Sequence, residues 1–222
     1  PQYTELLRRK LYYAIELKLY KVASDLGAAY LQRTDAGYED YLALGQALVR
    51  SGSEEDGLRF LELARLRAPG VPVSGVELAR AYKSRQQFRT AASIMERVAL
   101  FGESEAFVEA AELYRAAGEN LQALALNRFI VDSQARLRQR LAIALDMRDY
   151  TTVTAMQRDL IRSGLLREDE NIQYALAYAH FKEGNFKKTQ KVLAGLRSPE
   201  LFRKGTALRD AMNRCEDTPW SC

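Results

Sequence analysis

YEDYLALGQALVRSGSEEDGLRFLELARLRAPGV, residues Tyr38 to Val71, carries two runs of apolar side chains spaced by three and four, separated by SGSEED. That spacing puts them on one face of a helix with 3.6 residues per turn, and the alternation a strand needs is missing. The acids Glu54, Glu55 and Asp56 suit the positive end of a second helix, and Pro69-Gly70 closes it. The stretch predicts two antiparallel helices joined by a tight turn. Gly45 in the first and Gly57 in the second are expected where the two backbones approach too closely for a larger side chain.

The same pattern recurs along the chain. Leu44, Gly45, Leu48, Gly57, Leu61 and Ala64 are echoed 34 residues later by Leu78, Ala79, Tyr82, Ala91, Met95 and Val98. A further step gives Ala111, Tyr114, Ala123, Asn127 and Ile130, and the pattern returns at Ala177, Gly184, Thr189, Leu193 and Leu196. A period of this length is one helical hairpin, and a hairpin that cannot bury its apolar face alone stacks on its neighbours. Hairpins are expected near 4–34, 38–70, 72–102, 104–133, 135–164 and 169–197, followed by a capping helix at 199–214 that starts at Pro199. The first is weaker, resting on Leu11, Ala14, Tyr20 and Ala23. The fifth is degenerate, anchored mainly by Tyr150 and Val153.

The set Tyr41, Leu44-Gly45, Leu48, Gly57, Leu61, Ala64 and Pro69 resembles the tetratricopeptide repeat family, and the resemblance spans nearly the whole chain. It implies an all-α, right-handed α-solenoid of about six antiparallel hairpins plus a C-terminal capping helix. It also implies a function in protein interaction, because in that family the first helix of each pair lines a concave face that grips a peptide or a partner helix.

Composition agrees with a folded helical chain: 47% hydrophobic, 28% charged, five prolines and thirteen glycines in 222 residues. Lys and Arg outnumber Asp and Glu by 33 to 29, a net charge of +4, and the signs are interleaved throughout. A nucleic-acid track would concentrate its cations, and the densest run, RLRQR at 136–140, spreads its arginines around a helix, so nucleic acid is not the expected partner. No stretch approaches the roughly 20 apolar residues that span a bilayer. The chain opens on Pro1-Gln2 without an initiator Met and reads as trimmed or processed.

Catalytic chemistry finds few candidates. His180, the single histidine, falls at the position equivalent to Tyr82 and Tyr114 and reads as a packing residue. One His and two clustered Cys do not match zinc spacing, no phosphate-cradling glycine loop is present, and the carboxylates of SEED and REDEN sit where helices start. The expectation is a non-enzyme without cofactor or metal. Aligning first-helix positions beside the small residue, and one turn further, gives a candidate ligand face of Tyr12, Gln46, Arg80, Lys83, Glu112, Arg115, Tyr174 and Tyr178, mildly basic with aromatic ledges. Such a face suits an acidic or aromatic-bearing protein segment. The carboxylate clamp by which some relatives hold an acidic C-terminal tail is not expected, because Gln46, Arg80 and Glu112 stand where its asparagines would. Direct binding of an anionic polymer and a regulatory role beside an enzyme are the alternatives.

The tail, 215–222, reads CEDTPWSC and holds the only cysteines, Cys215 and Cys222. Two cysteines confined to one short tail favour a disulfide, worth about 2–3 kcal/mol by chain entropy, over a redox or metal-binding thiol pair. A disulfide would place the protein in the periplasm or another oxidising space, where the family resemblance suggests envelope assemblies for exopolysaccharide export, secretion or pilus biogenesis. Reduced thiols would return it to the cytoplasm. Oligomeric state is open.

Overall fold

The structure, a computed structural model, describes residues 2–31, 33 and 35–217, and every regular element among them is a helix. The first compact unit, Pro1–Phe129, consists of four hairpins. They are α1 (Gln2–Glu16) with α2 (Tyr20–Leu31), α3 (Tyr38–Arg50) with α4 (Glu54–Arg67), α5 (Pro72–Ser84) with α6 (Phe88–Leu100), and α7 (Ala106–Ala116) with α8 (Asn120–Asn127). The second unit, Ile130–Cys222, contains α9 (Ser133–Asp146), the short helices α10 (Tyr150–Ala155), α11 (Gln157–Arg162) and α12 (Leu165–Glu168), the hairpin α13 (Glu170–Lys182) with α14 (Phe186–Leu193), and α15 (Pro199–Asp217). The architecture is that of an all-α solenoid of helical hairpins.

One turn builds all six hairpins. At the end of each first helix a residue adopts a left-handed backbone: Lys18, Gly52, Gln86, Gly118, Arg148 and Gly184, with φ between 57° and 86°. The next amide then donates to the carbonyl five residues back: Leu19 to Ala14, Ser53 to Leu48, Gln87 to Tyr82, Glu119 to Tyr114, Asp149 to Ala144 and Asn185 to His180, at 2.8–3.0 Å. This closure satisfies carbonyls the helix leaves open and reverses the chain within three residues.

After the turn, the two helices close on small residues. A Cβ on Gly57 would lie 2.7 Å from the backbone nitrogen of Val49 and 3.0 Å from the Gly45 carbonyl oxygen, and one on Gly45 would lie 2.9 Å from the Leu61 nitrogen. The expected close approach of α3 and α4 is therefore present. Ala79 with Ala91 and Ala111 with Ala123 hold the equivalent places in the next hairpins, all at most 2% exposed.

The fifth hairpin departs from the pattern in its second helix, which breaks at Met156 into α10 and α11. Thr151, Thr152, Val153 and Thr154 are β-branched, and the Thr154 hydroxyl donates to the Thr151 carbonyl at 3.1 Å. Such residues lower helix propensity and compete for backbone partners. The capping helix runs to Asp217, three residues beyond its expected end, and buries Leu201, Leu208 and Met212 against the last hairpin. Each such side chain contributes about 2 kcal/mol by leaving water. Its start is fixed from a distance: the Glu170 carboxylate, on α13, accepts from the amides of Arg197 and Ser198 at 3.0 and 2.8 Å.

Because a Cβ on Gly118 would meet nothing within 4 Å, its requirement is purely conformational. Gly118→Ala should lower unfolding free energy by about 1–2 kcal/mol, and Gln86→Gly should raise it by up to about 1 kcal/mol. Urea denaturation of the two variants beside the parent measures both, and equal midpoints would remove the turn from its governing role.

Candidate partner-binding surface

The first-helix residues expected to meet a ligand fall into separate groups. Arg80 and Lys83 on α5, and Glu112 and Arg115 on α7, lie on neighbouring first helices of the first unit. Arg80 pairs with Glu77 at 2.6 Å, Arg115 donates to Glu112 at 2.9 Å, and Lys83 reaches across to Glu109 of α7 at 3.1 Å. All three cations thus stand beside a carboxylate, and this part of the face presents alternating signs rather than a basic strip. The exposed pairs of Arg80 and Lys83 add little to stability, typically below about 1 kcal/mol each, so these two side chains can exchange partners. Gln46 is half-buried on α3.

Tyr12, on α1, is committed elsewhere. Its hydroxyl donates to Asp40 at 3.3 Å, the Tyr30 hydroxyl reaches the other oxygen of the same carboxylate at 3.3 Å, and Arg8 forms an ion pair with it at 3.3 Å. Asp40 is only 7% exposed. A carboxylate so placed needs partners, and here α1 and α2 supply them to α3, tying the first hairpin to the second. Burial, followed by the Asp40 charge, pushes the Tyr12 hydroxyl above its ordinary value. The sequence gives no hint of this cluster, since Asp40 reads there as one more acid in the first turn of a helix.

Tyr174 and Tyr178, on α13, belong to the second unit. Tyr178 packs edge-on against Tyr150 with ring centres 5.9 Å apart and lies beside Phe181 at 6.4 Å, with the Lys182 ammonium 5.6 Å over its ring. Both tyrosines are partly buried against the core of that unit, and burial pushes the Tyr174 hydroxyl upward. Cys215, 8% exposed, lies in the last turn of the capping helix, while Cys222 lies outside the described residues.

A second recurrent interaction joins successive hairpins. Tyr82 of α5 donates to Glu62 of α4, and Tyr114 of α7 donates to Glu96 of α6 at 2.8 Å. Burial and the acceptor's charge push both hydroxyls up to about 12. His180 of α13, at the equivalent position, places Nε2 3.0 Å from Gln157 Oε1 on α11. One rule covers all three: a polar aromatic residue of a first helix reaches an acceptor on the second helix before it. His180 is 1% exposed and serves packing, as its place in the repeat implies.

No protein-family model matches the sequence, and no curated protein matches it. Solved structures do. A tetratricopeptide repeat protein from Parabacteroides merdae aligns over 97% of this chain and 88% of its own at 15% identity, with a TM-score of 0.57. The C-terminal part of a repeat-containing protein of the same kind from Cytophaga hutchinsonii aligns over 91% and 87% at 13% identity, with a TM-score of 0.66. The chain has the tetratricopeptide-repeat fold. At these identities the likeness speaks for the fold and leaves function to the chain's own residues.

His180 carries a pH dependence. Burial, reinforced by Lys188 of α14 and opposed by Glu183, holds its ring below the ordinary 6.5. The unfolded chain therefore binds the extra proton first, so this contribution to stability is complete above pH 6.5 and is lost as pH falls below it. The thermal midpoint should drop more steeply between pH 7 and 5 in the parent than in His180→Tyr, which installs the residue of the sister positions. Parallel curves would show that the ring titrates normally.

Proposed function

We propose that the protein is a non-catalytic scaffold that captures a peptide segment or partner protein on its first-helix faces, within a bacterial cell-envelope assembly such as one for exopolysaccharide export, secretion or pilus biogenesis. The observation that carries this reading is the exposed row on α5 and α7, where the Lys83–Glu109 bridge and its neighbours occupy a face that the packing of the hairpins leaves outward. Long charged side chains held this loosely can change partner without cost to the fold. A row of alternating charge is matched by a segment of mixed charge and is a poor match for a uniformly anionic polymer.

Reversing Arg80, Lys83 and Arg115 to Glu together should weaken partner capture about tenfold or more while shifting the thermal midpoint by only a few degrees. The measurement is photo-crosslinking in the source cells from position 46 or 80, with and without the three reversals. Crosslinks that persist unchanged would move the site off this face.

The oxidising compartment rests on the pairing of Cys215 with Cys222. Protein taken from its native cells, acid-quenched and alkylated without reductant, should show no added label by intact mass. Two labels would place it in a reducing compartment and remove the envelope setting.

A further inference from the structure

Away from the first-helix row, a cleft of about 410 Å³ opens between α4 and α6, with α5 beneath it. Its floor is Leu78 and Ile94, both at most 4% exposed, and Leu66 and Phe101 stand at its rim, 75% and 58% exposed. Arg65 from α4 and Arg97 from α6 line it, and neither guanidinium makes an ion pair or hydrogen bond with a described residue. In the same unit Arg80, Lys83, Arg89 and Arg115 each hold a carboxylate. Glu62 also faces the cleft but receives the Tyr82 hydroxyl, and Arg85 adds positive charge from the Tyr82 side. Burial and then the Arg97 charge disfavour the Arg65 cation, offset only in part by Tyr82 and Glu62, and both arginines line the same apolar-floored cleft.

The repeat shows that this arrangement is not needed to stack hairpins. At the positions equivalent to Arg65 and Arg97, the preceding hairpin junction has Leu31 and Leu63, and the following one has Ala99 and Phe129. The junction between the second and third hairpins alone among these three replaces apolar contacts with a pair of guanidinium groups.

We propose that this cleft docks a short segment of a partner protein carrying an aspartate or glutamate beside a large apolar residue. The carboxylate bridges Arg65 and Arg97, and the apolar side chain lies on Leu78 and Ile94 under Phe101. A carboxylate would relieve the repulsion between the arginines, whose planar donors suit it bidentately. Arginine and aromatic residues around a desolvated pocket are the composition of interface hot spots, and the exposed Leu66 and Phe101 offer more apolar area than an inorganic anion would cover. Two cations against one acid give too short a track for nucleic acid.

The test pans a phage library of random 12-residue peptides against the whole chain, after depletion on the Arg65→Glu/Arg97→Glu variant. Enriched sequences should place Asp or Glu within four residues of Phe, Trp or Leu. A fluorescein-labelled synthetic copy of the best of them should lose about tenfold or more in affinity to Arg65→Ala and to Arg97→Ala. It should bind unchanged to the variant with Arg80, Lys83 and Arg115 reversed, which separates this site from the first-helix face. Arg65→Leu and Arg97→Leu, which restore the residues of the preceding junction, supply folded controls with the same expected loss. The proposal fails if no sequence is enriched, if enriched peptides lack an acid, or if the arginine variants bind within twofold of the parent. It also fails if 10 mM phosphate displaces the peptide from the parent as fully as excess unlabelled peptide does, since the cleft would then be a plain anion site.

Discussion

Everything else in the molecule depends on a turn made six times, in which one residue goes left-handed after the first helix of a hairpin and the next amide bonds back to the carbonyl five residues earlier. The turn fixes where the second helix starts and at what angle it returns. Once it is set, the two helices must pass at a fixed height along each other, and at that height only Gly or Ala fits, as at Gly45 with Gly57 or Ala79 with Ala91. The carbonyls that accept this bond include those of Leu48, Tyr82, Tyr114 and His180, the same residues whose side chains fill the space toward the preceding hairpin. One position in the repeat therefore closes its own hairpin through the backbone and contacts the previous one through its side chain.

That coupling explains which parts of the fold could be read from the sequence. Small residues at close approaches and large ones at hairpin junctions are chemical identities, so a search at an offset of 34 finds them directly. The left-handed turn is a backbone state, and the sequence shows it only where glycine happens to occupy it, at Gly52, Gly118 and Gly184. At Lys18, Gln86 and Arg148 the same geometry is held by residues that give no signal, because the helices on either side impose it at a cost of about 1–2 kcal/mol. The break at Met156 has a local cause in the run Thr151 to Thr154, which disfavours a helix, but the degenerate repeat there does not specify where the helix resumes.

The surface was less legible than the core. Aligning repeat positions selects Arg80 and Lys83 on α5 and Glu112 and Arg115 on α7, two helices that the Lys83–Glu109 bridge joins. Alignment does not show what each side chain does once there. Tyr12 turns to a buried carboxylate and Tyr178 to an aromatic cluster, because both lie where a neighbouring element offers a stronger partner than water. The basic character read from the cations alone also disappears in space, where each has a carboxylate supplied by its own helix or the next.

A repeat protein supplies its own internal control, since each junction shows what stacking requires. The polar aromatic contact to the preceding hairpin appears as Tyr82 to Glu62, Tyr114 to Glu96 and His180 to Gln157, so its presence at any one junction is structural. Arg65 and Arg97 have no counterparts at the junctions on either side, where the same sites are filled by Leu31 and Leu63 or by Ala99 and Phe129. Stability would be served by apolar residues there, because partial burial strips water from the Arg65 cation and the Arg97 charge opposes it, with no ion pair or hydrogen bond to a described residue to offset either. Departures from the repeat that work against the fold are thus the places where a binding function can be separated from architecture, even in a chain whose hairpins share one turn.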